Sequence, residues 1–208
     1  MEQTLHLFVT ERCPHRCPLC CNKDYPVEEI PTVTVEDIKS SSIVCITGGD
    51  PFGPWCMKQV LRLVKLLRVQ YRNINKLYVY SSGVYFGRNY TLMEHPWINH
   101  PSLLIDSEIS GISWGPKSMI DWRGLIDYSD YFENIDRFAE DYRTPVDHRI
   151  PKENRLYVFP EQEQTLNETL ETHPKFLENL HVDLIRREWQ TNFVPAENSI
   201  FRRLPILL

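Results

Sequence analysis

The sequence is poor in glycine and has no surplus of basic residues. Eight glycines stand among 208 residues, and 23 Lys and Arg are set against 28 Asp and Glu, a formal net charge of −5. Nucleic-acid binding draws on an excess of Lys and Arg, so we expect no nucleic-acid partner. No apolar run approaches the roughly 20 residues that span a bilayer, so we expect no membrane partner.

The N-terminus also lacks the features of a secretory leader. Residues 1–4, Met-Glu-Gln-Thr, carry neither a basic region nor an apolar stretch. The hydrophobic share of 42% and charged share of 25% are those of an ordinary globular domain. We therefore expect a cytoplasmic protein with a single domain over residues 1–208.

Cysteine is absent after residue 56, which argues against a disulfide framework. Such frameworks belong to short secreted chains with cysteines spread along their length. Clustering in the first 56 residues of a chain expected to be cytoplasmic favours a metal site instead. The six cysteines stand at positions 13, 17, 20, 21, 45 and 56.

Strands and helices are predicted to alternate along the chain. Because a parallel crossover needs a connection of helical length, this alternation predicts an α/β fold with a parallel sheet. Six such units are too few for a complete eight-stranded barrel, so we predict a partial (β/α)6 barrel. Residues 1–145 would form its core and residues 146–208 would complete it. The predicted strands are 4–10, 43–47, 76–81, 109–114, 155–159 and 181–186, and the predicted helices are 35–41, 54–72, 90–98, 129–142 and 165–180.

Three cysteines on one predicted loop carry the chemistry. Cys13, Cys17 and Cys20 have the spacing C-x3-C-x2-C after the first strand. Three thiolates suit an iron–sulfur cluster with one iron free of protein ligands, and an open position is what a catalytic metal keeps. The alternative is a structural zinc ion completed by His15 or Cys21, although closed zinc sites usually use two separated ligand pairs.

The other cysteines are expected to be structural. Cys21 adjoins Cys20 and is predicted to be a bystander. Cys45 falls within a strand and Cys56 at a helix start, so both are predicted to be core thiols.

Together with two later turns, the cysteine loop resembles the radical S-adenosylmethionine superfamily. The loop reads Cys-Pro-His-Arg-Cys-Pro-Leu-Cys over 13–20, and Gly-Gly-Asp-Pro follows the second strand at 48–51. The family usually has Gly-Gly-Glu-Pro there. A weaker match, Tyr-Ser-Ser-Gly at 80–83, follows the third strand. The resemblance covers about the first 85 residues.

This resemblance implies a [4Fe–4S] cluster on the three cysteines. S-adenosylmethionine would chelate the fourth iron and be cleaved reductively to a 5′-deoxyadenosyl radical that abstracts hydrogen from a substrate. Such enzymes take their electron from a low-potential donor, a flavodoxin or ferredoxin. The resemblance implies an enzyme of the oxidoreductase or lyase type.

Cofactor contacts follow from the same resemblance. Gly48 and Gly49 would let the backbone approach the methionine moiety, and Asp50 or nearby carbonyls would accept from its ammonium group. Leu19 would pack near the adenine. The remaining expected cofactor residues are Pro51, Ser81, Ser82 and Ser113.

Two types of short radical S-adenosylmethionine protein come into question. The segment Ser113-Trp114-Gly115-Pro116-Lys117 resembles the Ser-Pro-Lys stretch of 7-carboxy-7-deazaguanine synthases, which act on a small molecule, although a surface turn is an equal alternative. Residues 13–23 instead match the activases of glycyl radical proteins such as anaerobic ribonucleotide reductase. The sequence favours an unidentified small-molecule substrate, then an activase, and last a non-catalytic metal-binding module.

Overall fold

The computed structural model describes seven parallel strands and the helices that connect several of them. It describes residues 2–18, 20, 22, 26–86, 109–115, 119–133, 153–189 and 196–204. The strands are β1 (Thr4–Thr10), β2 (Ile43–Gly48), β3 (Lys76–Ser81), β4 (Gly111–Trp114), β5 (Asn154–Val158), β6 (Val182–Arg186) and β7 (Ser199–Arg203). The helices are α1 (Val35–Ser40), α2 (Met57–Gln70), α3 (Trp122–Glu133), α4 (Glu163–Thr172) and α5 (Phe176–Leu180).

The predicted parallel α/β sheet is confirmed, with one strand more than expected. The strand order is β6-β5-β4-β3-β2-β1-β7, and every pairing is parallel. The first six strands therefore lie in chain order, as successive β/α units would. The prediction of six strands missed β7, which pairs with β1 on its other side. Among the described strands the sheet is open, since β6 and β7 are not paired with each other.

One face of the sheet packs against the helices and forms the main core. Alternate side chains of a strand point to opposite faces, so each strand contributes every second residue to this core. Val60, Val64 and Leu67 of α2, Leu125 of α3 and Leu166 of α4 pack on it, all fully buried. The strand residues on this face are Leu5, Leu7, Val44, Ile46, Leu77, Val79, Ile112, Trp114, Leu156 and Val158.

Local capping explains where two of the helices begin. Thr34 caps α1 in a reciprocal capping box with Asp37, as the sequence predicts. Helix α3 begins at Trp122, before the predicted start at residue 129, because the carboxylate of Asp121 accepts the Gly124 N–H at 3.0 Å. Residues 134–142 of the predicted helix lie outside the described residues.

Proline explains the break in the next predicted helix. The prediction of one helix over 165–180 is wrong, since α4 ends at Thr172 and α5 begins at Phe176. Pro174 lies between them and cannot donate a helical hydrogen bond. The predicted helix over 90–98 lies outside the described residues.

In the described part of the chain, no helix has the length and apolar character needed to cross a membrane.

Candidate functional site

The cysteine loop leaves the C-terminal end of β1 at the rim of the sheet. Cys13 is exposed, Cys17 is buried and Cys20 is half-buried. The Cys20 N–H donates to the Cys17 carbonyl at 3.2 Å, so a tight turn brings the last two cysteines together. No disulfide joins the described cysteines. Cys21 and Leu19 lie outside the described residues.

The Gly-Gly-Asp turn lies directly against this loop, as the sequence predicts. The Gly49 N–H donates to the Thr10 carbonyl at 2.5 Å, and the Asp50 N–H donates to the Arg12 carbonyl at 2.8 Å. Since β1 and β2 are adjacent and parallel, both segments leave the same rim. The sequence predicts this shared end because the carboxyl ends of parallel strands meet at one edge of a sheet, and the prediction is confirmed.

The two glycines make this close approach sterically possible. Gly48 has φ +131°, a conformation that L side chains rarely adopt. A Cβ at Gly49 would lie 2.0 Å from the Arg12 carbonyl oxygen, far inside van der Waals contact. Only glycine lets the backbones of the loop and the turn touch, so their residue type is explained before any ligand is considered.

The carboxylate of Asp50 is fully buried and is used within the protein. Its Oδ1 accepts the Phe52 N–H at 3.1 Å and the Ser81 hydroxyl at 3.0 Å. Its Oδ2 accepts the Ser82 N–H at 3.2 Å and the Ser82 hydroxyl. A carboxylate offers about four acceptor positions, and all four are engaged. Burial raises the pKa of Asp50, and these hydrogen bonds oppose that rise.

Asp50 therefore has a structural role that the sequence left as one of two alternatives. Its side chain fixes the turn after β2 and ties it to the end of β3. The hydroxyls of Ser81 and Ser82, which are also expected as cofactor contacts, donate to Asp50. The backbone carbonyls of the Gly-Gly segment remain as the acceptors at this rim.

Cys56 stabilises the same turn through hydrogen bonds to its backbone. The Cys56 thiol donates to the Pro51 carbonyl at 3.3 Å and to the Asp50 carbonyl at 3.7 Å. Cys56 and Cys45 are 1% and 4% exposed, which confirms both as core thiols. Ser113 is also buried, and its register beside Tyr80 and Arg155 puts it on the sheet face away from the helices.

The three loop thiols interact electrostatically with one another. Burial raises the pKa of Cys13 to about 11, and the negative charges of Asp50, Cys17 and Cys20 add to that rise. The backbone N–H of His15 donates to the Cys13 sulfur and opposes the rise. Thiols with raised pKa values remain protonated unless a cation holds them as thiolates. A positive group beside Cys13 would therefore favour its thiolate form.

The donor set suits a cluster better than a single metal ion. Within the part of the chain that the structure describes, no three His, Cys, Asp or Glu side chains form a group that could hold a metal ion. A zinc site needs four ligands around one ion. In a [4Fe–4S] cluster each thiolate binds a different iron, so the sulfurs need not converge on one point. Three cysteine ligands would leave one iron of such a cluster without a protein ligand.

His15, which the sequence offers only as a fourth ligand of a structural zinc ion, has an unusual environment in the structure. Its Nε2 atom is buried and has no hydrogen-bond partner. Burial lowers the pKa of His15, and the carboxylates of Asp50 and Asp121 oppose that change. Asp121 reaches this rim because its N–H donates to the Ser82 carbonyl at 3.1 Å. The only sequence signal was the position of His15 inside the cysteine loop.

In comparisons with known proteins, no family model and no curated protein matches this chain.

Proposed function

We propose that the protein is a radical S-adenosylmethionine enzyme acting on a small molecule. The observation that carries the proposal is the contact between the cysteine loop and the Gly-Gly-Asp turn. Backbone hydrogen bonds from Gly49 and Asp50 hold three thiols beside a glycine-lined turn on adjacent parallel strands. Ligand sites of open parallel sheets gather at this end of the strands.

Cys13, Cys17 and Cys20 would hold a [4Fe–4S] cluster. Such a cluster, with S-adenosylmethionine bound, would supply the electron for reductive cleavage of the sulfonium and for radical chemistry on the substrate. The His15 N–H, which donates to the Cys13 sulfur, would support that thiolate.

The chain's own residues would bind and orient the cofactor at the rim. Carbonyls of Gly48 and Gly49 would accept from its ammonium group, since no side chain obstructs them. Asp50 would keep those carbonyls in place through Ser81 and Ser82. Leu19 is expected to pack on the adenine, and Ser113 would face the substrate.

The same proposal includes the curvature of the sheet, the electron donor and the cellular compartment. We propose a partial (β/α)6 barrel whose sheet would curve around the substrate, and the chain order of β1 to β6 supports this proposal. A flavodoxin or ferredoxin would supply the low-potential electron, and the cytoplasm is the setting in which we expect the protein to act.

A second candidate is the activation of a glycyl radical protein. The observation that favours it is the run from Cys13 to Lys23, which includes Asn22 and matches the activases of such proteins. A non-catalytic metal-binding module is a third and weaker candidate.

The experiment is anaerobic reconstitution with iron and sulfide, then reduction with dithionite in the presence of S-adenosylmethionine. Formation of 5′-deoxyadenosine, measured by chromatography and mass spectrometry, is the expected result. Cys17→Ala should form none, and Cys56→Ala is the matched control because Cys56 is a buried thiol of the core.

The outcomes separate the candidates. A reconstituted cluster that yields no 5′-deoxyadenosine would leave only a metal-binding module. Zinc in place of a cluster, bound at one equivalent and lost in Cys17→Ala, would point to a structural site. Formation of a glycyl radical on a co-purified large protein would favour the activase.

A further inference from the structure

The sheet face that points away from the helices is lined with polar and aromatic side chains. Register places His6, Cys45 and Tyr78 in one row across β1, β2 and β3. The next row on this face includes Tyr80 and Arg155, with Ser113 between them. Their strand neighbours, such as Leu7 and Val79, belong to the core under the helices, so these rows occupy the opposite face.

Arg155 is the central cation of this face. Its guanidinium lies over the Tyr78 ring, 5.3 Å from the ring centre, and it forms a hydrogen bond with Tyr157. Two acidic side chains neighbour Arg155. Glu153 is bound by Lys76 at 3.1 Å and by the Tyr78 hydroxyl, and it is also attracted electrostatically by Arg155. Asp183, the register neighbour of Arg155, is exposed. Among the described residues, no ion pair to Arg155 is found.

Two further arginines add to the positive charge. Arg187 lies over the Tyr157 ring at 4.8 Å from its centre. Arg203 is the register partner of Phe8 on β7, and its Nε atom is buried without a hydrogen-bond partner. His6 stacks on Phe201 with ring centres 4.5 Å apart and contributes no charge near neutral pH. The described face therefore combines flat aromatic rings with guanidinium groups for which no ion pair is found among the described residues.

We infer that this face binds the acidic group of the substrate, a carboxylate or phosphate carried on a planar ring. Arg155 would receive the oxyanion through its planar fork of donors. The aromatic rings would pack against the ring of the substrate. This inference deepens the proposed function and rests on it for the reaction, although the binding itself needs no cluster.

The position of Arg155 limits its role to binding and orientation. It lies four strands from β1, about 19 Å along a sheet with a strand spacing of roughly 4.8 Å. An anion held there places the rest of the molecule toward the rim that carries the cysteine loop. Loss of Arg155 should therefore weaken substrate binding and leave cleavage of S-adenosylmethionine without substrate unchanged.

The test uses matched pairs of probes that differ in charge but keep the ring. Nicotinate against nicotinamide tests the carboxylate, and guanosine 5′-monophosphate against guanosine tests the phosphate. Each is titrated into the full chain, without cluster or S-adenosylmethionine, by calorimetry or ligand-observed NMR. The variants are Arg155→Gln, Arg155→Lys and the control Arg186→Gln, whose exposed side chain pairs with Glu163 at 2.7 Å. Thermal melting checks that each variant is folded.

We expect the acid of at least one pair to bind about tenfold more tightly than its neutral partner, a difference of about 1.4 kcal/mol. Arg155→Gln should abolish that preference, Arg155→Lys should keep part of it, and Arg186→Gln should keep it all. The pair that shows the preference identifies carboxylate or phosphate.

Equal binding of acid and neutral probe, no binding of either acid at millimolar concentration, or an intact preference in folded Arg155→Gln would overturn the inference. Because the titration contains no cluster, these results are independent of the 5′-deoxyadenosine assay. The inference and the proposed reaction can therefore fail separately.

Discussion

Asp50 and Ser82 join the ends of two neighbouring strands through a single carboxylate oxygen. The Asp50 Oδ2 accepts both the N–H of Ser82, at 3.2 Å, and its hydroxyl. Asp50 follows β2 and Ser82 follows β3, and they are 0% and 7% exposed. A short acidic side chain thus fixes the turn that lies against the cysteine loop. Aspartate at this position is explained by the hydrogen bonds that its side chain makes from the turn after β2 to Ser82 after β3.

Replacing Asp50 by Ala should destabilise the fold strongly. The change leaves buried donors of Phe52, Ser81 and Ser82 without an acceptor, and each unsatisfied donor costs about 1–3 kcal/mol. We expect the free energy of unfolding to fall by about 3 kcal/mol or more, measured by urea unfolding. Ser82→Ala removes the hydroxyl donor itself rather than its acceptor, so it should lower the free energy of unfolding by only about 1 kcal/mol.

Asp183→Ala serves as the exposed control and should change stability little. If Asp50→Ala unfolds at the same urea concentration as the parent, the carboxylate does not hold the two strand ends together. Weaker binding of S-adenosylmethionine in Asp50→Ala with stability intact would instead indicate a direct contact with the cofactor.

The three loop cysteines should be required for the cluster, and the remaining cysteines should not. Replacement of Cys13, Cys17 or Cys20 by Ala removes one of three thiolates, so the brown absorption of the reconstituted protein should be lost. Cys21→Ala, Cys45→Ala and Cys56→Ala should keep it. A full complement of iron and sulfide in Cys17→Ala would refute this ligand assignment.

Gly49→Ala should separate the cysteine loop from its neighbouring turn. The added Cβ would lie 2.0 Å from the Arg12 carbonyl oxygen, and that backbone atom cannot move away without moving the loop. We expect lower cluster content after reconstitution and a lower melting temperature. Ser40→Ala, on an exposed helix remote from the rim, is the control. An unchanged iron content in Gly49→Ala would show that the close contact does not matter for the site.

The local sequence pattern was sufficient for most of the sheet. Strand β1 reads as an apolar and β-branched run between polar neighbours, and both it and β3 were predicted at their observed bounds. The contact between the cysteine loop and the turn was also predictable, because parallel strands place their C-terminal ends at one rim.

What the sequence could not reveal depends on partners distant in the chain. Strand β7 has no alternating pattern, and its pairing with β1 joins residues almost 200 positions apart, as in Thr4 with Ser199. All five of its residues are half-buried, so the strand needs no alternation of apolar and polar residues by which the sequence could reveal it. The saturation of Asp50 likewise requires Ser81 and Ser82 to arrive from another strand.

His6 should make the stability of the protein depend on pH in the weakly acidic range. It lies in β1 against Phe201, and burial lowers its pKa from the ordinary 6.5 to about 4. Between those values the unfolded chain binds a proton at His6 and the folded protein does not. The free energy of unfolding therefore rises with pH across this window, by up to about 1.4 kcal/mol for each pH unit. The contribution is complete above pH 6.5 and is lost as the pH falls toward 4.

His6→Phe isolates this effect because it keeps an aromatic ring against Phe201 and removes the titrating group. Acidic side chains also titrate near the lower end of the window, so the quantity to compare is the difference between the parent and His6→Phe at each pH. As the pH falls from 6.5 to 4, we expect the free energy of unfolding of the parent, measured with urea, to fall relative to that of His6→Phe. A constant difference would mean that His6 titrates alike in the folded and unfolded chain. Its ring would then be hydrated, and the sheet face around it would be open to water at β1.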